Sequence, residues 1–152
     1  MTASGNDRAQ ITTVRLQNIV QSYGQSAALM AAIELGVFTA ISKGASSFQE
    51  VADALDIAPT NAERLIVLLC AAGVVEAVDG RLRNAEDAAR FLVEGKPSFM
   101  GPWITFTKPQ WNEWGRLAEH LRVKDLKDLG SIGEITTEDA RRYHASTFSI
   151  GM

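Results

Sequence analysis

The chain holds a single cysteine, Cys70, so no disulfide can form within it. That thiol lies in an apolar run, where a reduced and buried side chain is expected and a cytoplasmic setting fits. Histidine is almost as scarce. His120 and His144 stand far apart, with no cysteine, histidine or carboxylate at metal-ligand spacing, which argues against a zinc site. His120 is expected to be a solvated residue near a helix end. No apolar run approaches the roughly 20 residues that span a bilayer, and the polar start MTASGNDRAQ has no signal-peptide core. Glycine-rich nucleotide loops, a P-loop and a nucleophile elbow are all missing, so the chain shows no known device for cradling a nucleotide cofactor. Positive charge is also in short supply: the formal net charge is -3 and the pI is near 5.4.

What is present is a chain of 152 residues, 46% of them hydrophobic, enough for one domain with a sizeable core. Its centre is the stretch SSFQEVADALDIAPTNAERLIVLLCAAGVVEAVDGRLRN, residues 46 to 84. Ser46 or Ser47 can cap a helix whose positions Phe48, Val51, Ala52 and Leu55 form one buried face and which ends near Asp56. Pro59 disfavours helical dihedrals at Ala58, so a turn is expected there, with Thr60 or Asn61 capping a second helix from Asn61 to Ala72. After Gly73, VVEAV and RLRN alternate like two short strands joined by a tight turn at Asp79-Gly80. Helix, turn, helix and hairpin together predict a mainly α fold: a winged helix with a small β-hairpin wing and flanking helices.

Residues 1–9 are expected to form a disordered tail and residues 10–95 the winged-helix unit. A first helix from Gln10 to Tyr23 carries Leu16, Ile19, Val20 and Tyr23 on one face, and such a stripe must be covered by its own core or by another chain. The next segment, SAALMAAIELGVFTAI, is dense enough in apolar residues to be core, with Gly36 dividing it into a longer and a shorter helix. Beyond the wing, EDAARFLVEG reads as a short helix closing near Gly95, and Lys96-Pro97 marks a boundary. Residues 96–152 form an aromatic-rich helical extension. PSFMGPWITFTKPQWNEW alone contains five of the chain's 11 aromatic residues, which must be buried or bind something. WNEWGRLAEHLRV reads as one helix with Trp111, Trp114, Leu117 and Leu121 in a stripe. The last helix, TTEDARRYHASTFSIGM, is capped by Thr136 or Thr137 and is still running at Met152, as expected of a sequence cut short.

A winged helix commonly reads DNA through its second helix, so a DNA-binding transcription regulator is the first functional reading to test. The residues argue against it. The helix offers Asn61 and Arg64 near its start and then only apolar side chains, where base edges call for Arg, Lys, Asn or Gln. From Gly44 to Glu94 there are nine acids against four arginines, and that local charge repels phosphate. Arg81 and Arg83, the one basic pair on the wing, read more simply as a solvated strand edge.

AALMAAIELGVFTAI, the helix pair ending in CAAGVVE, the wing, the aromatic segment and TTEDARRYHASTFSIGM together resemble the N-terminal dimerisation domain of SAM-dependent small-molecule O-methyltransferases, the plant-type and bacterial natural-product tailoring family. The resemblance covers roughly Gln17 to Met152. It implies a homodimer paired through Leu16, Ile19, Val20 and Tyr23, no nucleic-acid or membrane partner, and a following Rossmann-like domain that holds S-adenosyl-L-methionine and the catalytic base. No catalytic, cofactor or metal residue is therefore expected in this chain. The resemblance further implies that this part roofs the pocket of a small, aromatic or polyketide-like hydroxylated acceptor. Trp103, Phe106, Trp111, Tyr143, His144, Phe148 and Met152 would line one side and Met30 of the partner subunit's helix the other. His144, Phe148 and Met152 recur at i, i+4, i+8 and share one helix face. A stand-alone module covering a partner's apolar face is the remaining alternative.

Overall fold

A computed structural model describes residues 11–123 and, farther along, Thr137, Ala140, Arg141 and His144. The first element, helix α1 (Val14–Leu35), runs unbroken through the region expected to hold two helices. Gly24 does not interrupt it. A Cβ there would meet nothing within 4 Å, so the residue costs the helix only the ordinary glycine penalty of about 1 kcal/mol, which continuous packing farther along offsets. The helix stops where the sequence demands it. Gly36 takes φ 80°, a left-handed conformation cheap only for glycine, and its N–H closes onto Ala32 and Ile33 carbonyls before helix α2 (Val37–Ser42) begins.

Helix α3 (Phe48–Leu55) starts with a reciprocal cap. The Ser47 hydroxyl accepts from the Glu50 N–H at 3.2 Å, and the Glu50 carboxylate accepts from the backbone N–H groups of Ser46 and Ser47 at 2.7 and 3.0 Å. These bonds, with that from the Ser46 hydroxyl, hold the Glu50 carboxyl below the usual range, the Ser46 backbone contributing most. Val51 and Ala52 face the core as expected, but Phe48 at the first turn is 40% exposed because α3 buries only its second turn onward. Asp56 turns the chain at φ 53°. Helix α4 (Pro59–Ala71) then begins two residues ahead of the expected start, with neither Thr60 nor Asn61 as its cap. Pro59 is the first helical residue, since its fixed φ suits that position and its missing N–H would have been unpaired there anyway.

Strands β1 (Val75–Val78) and β2 (Arg81–Asn84) pair antiparallel, with Val78 opposite Arg81. Asp79 and Gly80 both have positive φ, as a two-residue hairpin turn requires. The wing is tied back by two bonds, the Leu82 N–H donating to the Ser46 carbonyl at 2.8 Å and the Asn84 side-chain amide to the Phe38 carbonyl at 2.8 Å, while the Ala85 N–H extends the hairpin by donating to the Val74 carbonyl at 3.1 Å.

One core joins these pieces. Phe38, Ile66, Leu69, Val37, Val51 and Val75 are its largest fully buried side chains, with Ala28 and Ala32 of α1 packed into it. Helix α5 (Glu86–Phe91) closes it with Ala88, followed by Leu92 and Val93. Helix α6 (Gly101–Phe106) leans Ile104 on the same core. Gly101 is buried beneath the Phe99 ring, where a Cβ would lie 2.1 Å from the ring. Past a 3-10 turn (Lys108–Gln110), the single helix expected over WNEWGRLAEHLRV is instead two short ones, α7 (Trp111–Gly115) and α8 (Leu117–His120). Arg116 leaves helical dihedrals between them at φ -103°, ψ 13°, just after Gly115, the weakest helix former in the run.

Replacing Ser47 with Ala should lower unfolding free energy by about 1 kcal/mol, read by urea titration. Because the folded Glu50 carboxyl sits below its unfolded value, its contribution is complete above an unfolded pKa of about 4.3 and is lost as pH falls through the lower folded value. Glu50→Gln should therefore flatten that acid limb of the stability profile while leaving the neutral limb parallel to wild type.

Candidate functional site

The described residues contain little reactive chemistry. No group of three or more His, Cys, Asp or Glu side chains could hold a metal ion among them. Cys70 is half-buried, and burial pushes its thiol pKa up, the opposite of what an activated nucleophile needs. His120 differs from the solvated residue expected from sequence. Its Nε2 lies 3.1 Å from a Glu113 carboxylate oxygen, which pairs the two short aromatic-segment helices.

Where the sequence suggested DNA reading, α4 presents Thr60, Glu63, Arg64, Val67 and Leu68 along a shallow groove of about 510 Å³. Val67 and Leu68 are 54% and 46% exposed. The wing arginines are engaged locally: Arg83 is paired with Glu76 across the hairpin at 2.6 Å, and Arg81 donates to the Ser46 hydroxyl at 3.3 Å. With Val67 and Leu68 bare, Glu63 beside Arg64 on the same face, and both wing arginines engaged, these surfaces offer little for base-edge recognition. The exposure of Val67 and Leu68 was readable from their positions, since both fall off the stripe Ala62, Ile66 and Leu69 that the core takes.

The larger apolar surface belongs to α1. Every residue from Ile11 to Ser26 is exposed, including Leu16, Ile19, Val20 and Tyr23, with Val20 at 76%. Arg15 is the one charged side chain in that stretch. Thirteen helical residues, about 20 Å of α1, are thus exposed, with an apolar stripe at i, i+3, i+4, i+7.

The aromatic segment returns to this helix. The Trp111 ring lies against that of Tyr23, centroids 5.2 Å apart and planes tilted by 44°. Nearer the other end of α1, the Lys108 ammonium pairs with the Glu34 carboxylate at 2.7 Å. Sequence separation hid both contacts: nothing local to Tyr23 or Glu34 names a partner more than 70 residues away. Of the remaining expected pocket residues, Trp103 is 44% exposed on α6 and Phe106 is half-buried. Met30 is buried within its own chain. His144 is exposed and helical, whereas Tyr143, Phe148 and Met152 lie outside the described residues.

The geometry of a winged helix with a projecting apolar helix finds its match in known proteins. The model of the O-methyltransferase dimerisation domain matches residues 17–95, more than half of the chain. The chain belongs to this dimerisation-domain family. It is 35% identical over 100 residues to a 3-hydroxy-5-methyl-1-naphthoate 3-O-methyltransferase of Streptomyces sahachiroi, a match covering 63% of this chain and 29% of that protein. It is 31% identical over 108 residues to the N,N-dimethyltransferase OxyT of Streptomyces rimosus, covering 70% of this chain and 31% of that one. The dimerisation domain thus spans less than a third of the length of these two curated relatives. Its fold also matches CalO1, a methyltransferase in calicheamicin biosynthesis, in the SAH-bound crystal form, with TM-score 0.74, 23% identity and coverage of 95% of this chain and 46% of that one.

The two strands pair as a hairpin whose turn faces solvent, and no glycine-rich turn leads from a strand into a helix among the described residues. No described helix is long and apolar enough to cross a membrane.

Because burial raises the Cys70 pKa, less thiolate is present near pH 8 in the folded state than in the unfolded one. A thiol-reactive disulfide reagent should modify Cys70 markedly more slowly in the native protein than in denaturant, and equal rates would show that the side chain is not shielded.

Proposed function

We propose that this chain is the subunit-pairing and acceptor-facing part of a SAM-dependent O-methyltransferase that acts, as a homodimer, on a small hydroxylated metabolite of aromatic or polyketide-like character. The observation that carries the reading is the family match over residues 17–95 joined to the bare apolar stripe Leu16, Ile19, Val20 and Tyr23. The exposed half of α1, with this stripe and Arg15 as its one charge, gains most by lying on a second copy, where its apolar side chains leave water and little charge must be desolvated.

The naphthoate relative supports a flat aromatic acceptor. So does the concentration of rings between Phe99 and Trp114, two of which, Trp103 and Trp114, remain more than a third exposed. In this reading Trp103, Phe106 and Trp111 roof the acceptor, and Tyr143, His144, Phe148 and Met152 form a wall. Met30 is the weakest member of the set, since its side chain is already buried. SAM supplies the methyl group and is held by residues other than the described ones. The reading assigns the reaction to the cytoplasm, where Cys70 stays reduced, and gives duplex DNA no part in it.

A second relative modifies nitrogen, as its name states, so the acceptor atom is part of the test. In the enzyme that carries this domain, paired hydroxy- and amino-substituted naphthoates should show methyl transfer to oxygen by mass spectrometry. Transfer to the amine alone would replace the oxygen reading. Trp103→Leu and Phe106→Leu should raise acceptor KM while KM for SAM and melting temperature stay near wild type. In sedimentation experiments Ile19→Asp or Val20→Asp should weaken self-association by more than about tenfold, the cost of losing one buried hot-spot contact. A wild-type chain that stays monomeric at micromolar concentration, or that shifts a DNA duplex tightly and sequence-selectively, would overturn the proposal.

A further inference from the structure

Tyr23 stands in two groups at once. It is the fourth member of the α1 stripe, and its ring also packs on Trp111 of the aromatic segment at 5.2 Å. It nevertheless remains 64% exposed, so most of the ring is available to a further partner while the contact with Trp111 is kept. Trp111 is half-buried and opens α7, and the turn just before it is pinned to α1 by the Lys108–Glu34 ion pair. The aromatic segment is therefore attached to α1 at two levels, near its middle and near its C-terminal end.

We propose that the Tyr23–Trp111 pair couples self-association to the aromatic segment: the second copy that covers the α1 stripe also covers the Tyr23 edge of this pair, and so fixes where Trp111 sits. This rests on the homodimer reading above and adds to it a positioning role for Tyr23 and an interface role for Trp111, which lies outside the stripe. The occupant is a second copy of this chain. The stripe continues directly into the ring pair, and the exposed half of α1 carries Arg15 but no acid that would have to be stripped of water. An acceptor surface containing Trp111 is then complete only in the associated state, because in a lone chain one side of the pair faces solvent.

The coupling is measured by a double-mutant cycle on the self-association constant of the 152-residue chain, using Tyr23→Leu, Trp111→Leu and both together, with helicity checked by circular dichroism. Leucine keeps an apolar side chain while removing the ring pair, and the cycle subtracts the area that each single change loses. Trp111→Leu alone should raise the dimer Kd by about two- to tenfold, the range an aromatic pair carries, although Trp111 is outside the stripe. The double variant should be no weaker than the poorer single variant. A second measurement leaves Tyr23 and Trp111 intact: with Trp103 and Trp114 changed to Phe, the emission of Trp111 should move to the blue and its acrylamide quenching should fall as protein concentration crosses the dimer midpoint. A chain that dimerises with wild-type Kd in Trp111→Leu and with unchanged Trp111 emission overturns this inference and leaves the homodimer standing. A chain that never dimerises overturns both.

Discussion

Half of helix α1 is anchored and half is not, and much of the rest of the structure follows from that division. Ala28 and Ala32 insert into the core beside α2 and α4, and their small side chains let the helix approach closely. That anchorage sets the direction in which Val14 to Ser26 leaves the domain with its apolar stripe bare. A helical segment of this length is marginal in water without tertiary cover. In the proposed homodimer that stripe is the surface to be buried, and the aromatic segment is tied to the same helix at Tyr23 and Glu34.

The helix-turn-helix and wing are bonded into a rigid base. The Ser47–Glu50 cap fixes the start of α3, and the hairpin is bonded to Ser46 and Phe38, so α2, α3 and the wing form one block. Each link satisfies backbone groups that would otherwise be costly to leave unpaired. The outward side of α4, with Val67 and Leu68 exposed, shows that a fold known for entering DNA grooves can carry side chains chemically unsuited to that task. Architecture alone therefore does not assign a DNA-reading role.

Much of this was legible in the sequence because it is local. The cap at Ser47, the turn at Asp56, the hairpin at Asp79-Gly80 and the stop at Gly36 each depend on residues within a few positions, and each was found where its chemistry placed it. The errors also have local causes. The first helix was expected to end at Tyr23, but α1 continues to Leu35; Pro59 started α4 earlier than its polar neighbours implied, and Gly115-Arg116 divided a helix whose apolar spacing looked regular. The candidate site was only partly legible. The stripe on α1 and the aromatic cluster are patterns of spacing and composition, but the pairing of Tyr23 with Trp111 joins residues far apart in sequence and carries no local signal.

The left-handed residue Gly36 closes the buried end of α1, while at the other end Thr13 provides no side-chain bond to cap the first turn. The helix is thus sealed at one terminus and open at the other, and its backbone protection must form a gradient. In a lone chain, amides near Ala32 exchange with solvent only when the domain opens as a whole, whereas those near Leu16 and Ile19 exchange through fraying that costs little. In the proposed homodimer the covered stripe would close the second route, so exchange in the first turns of α1 would depend on protein concentration and exchange in its last turns on the stability of the fold.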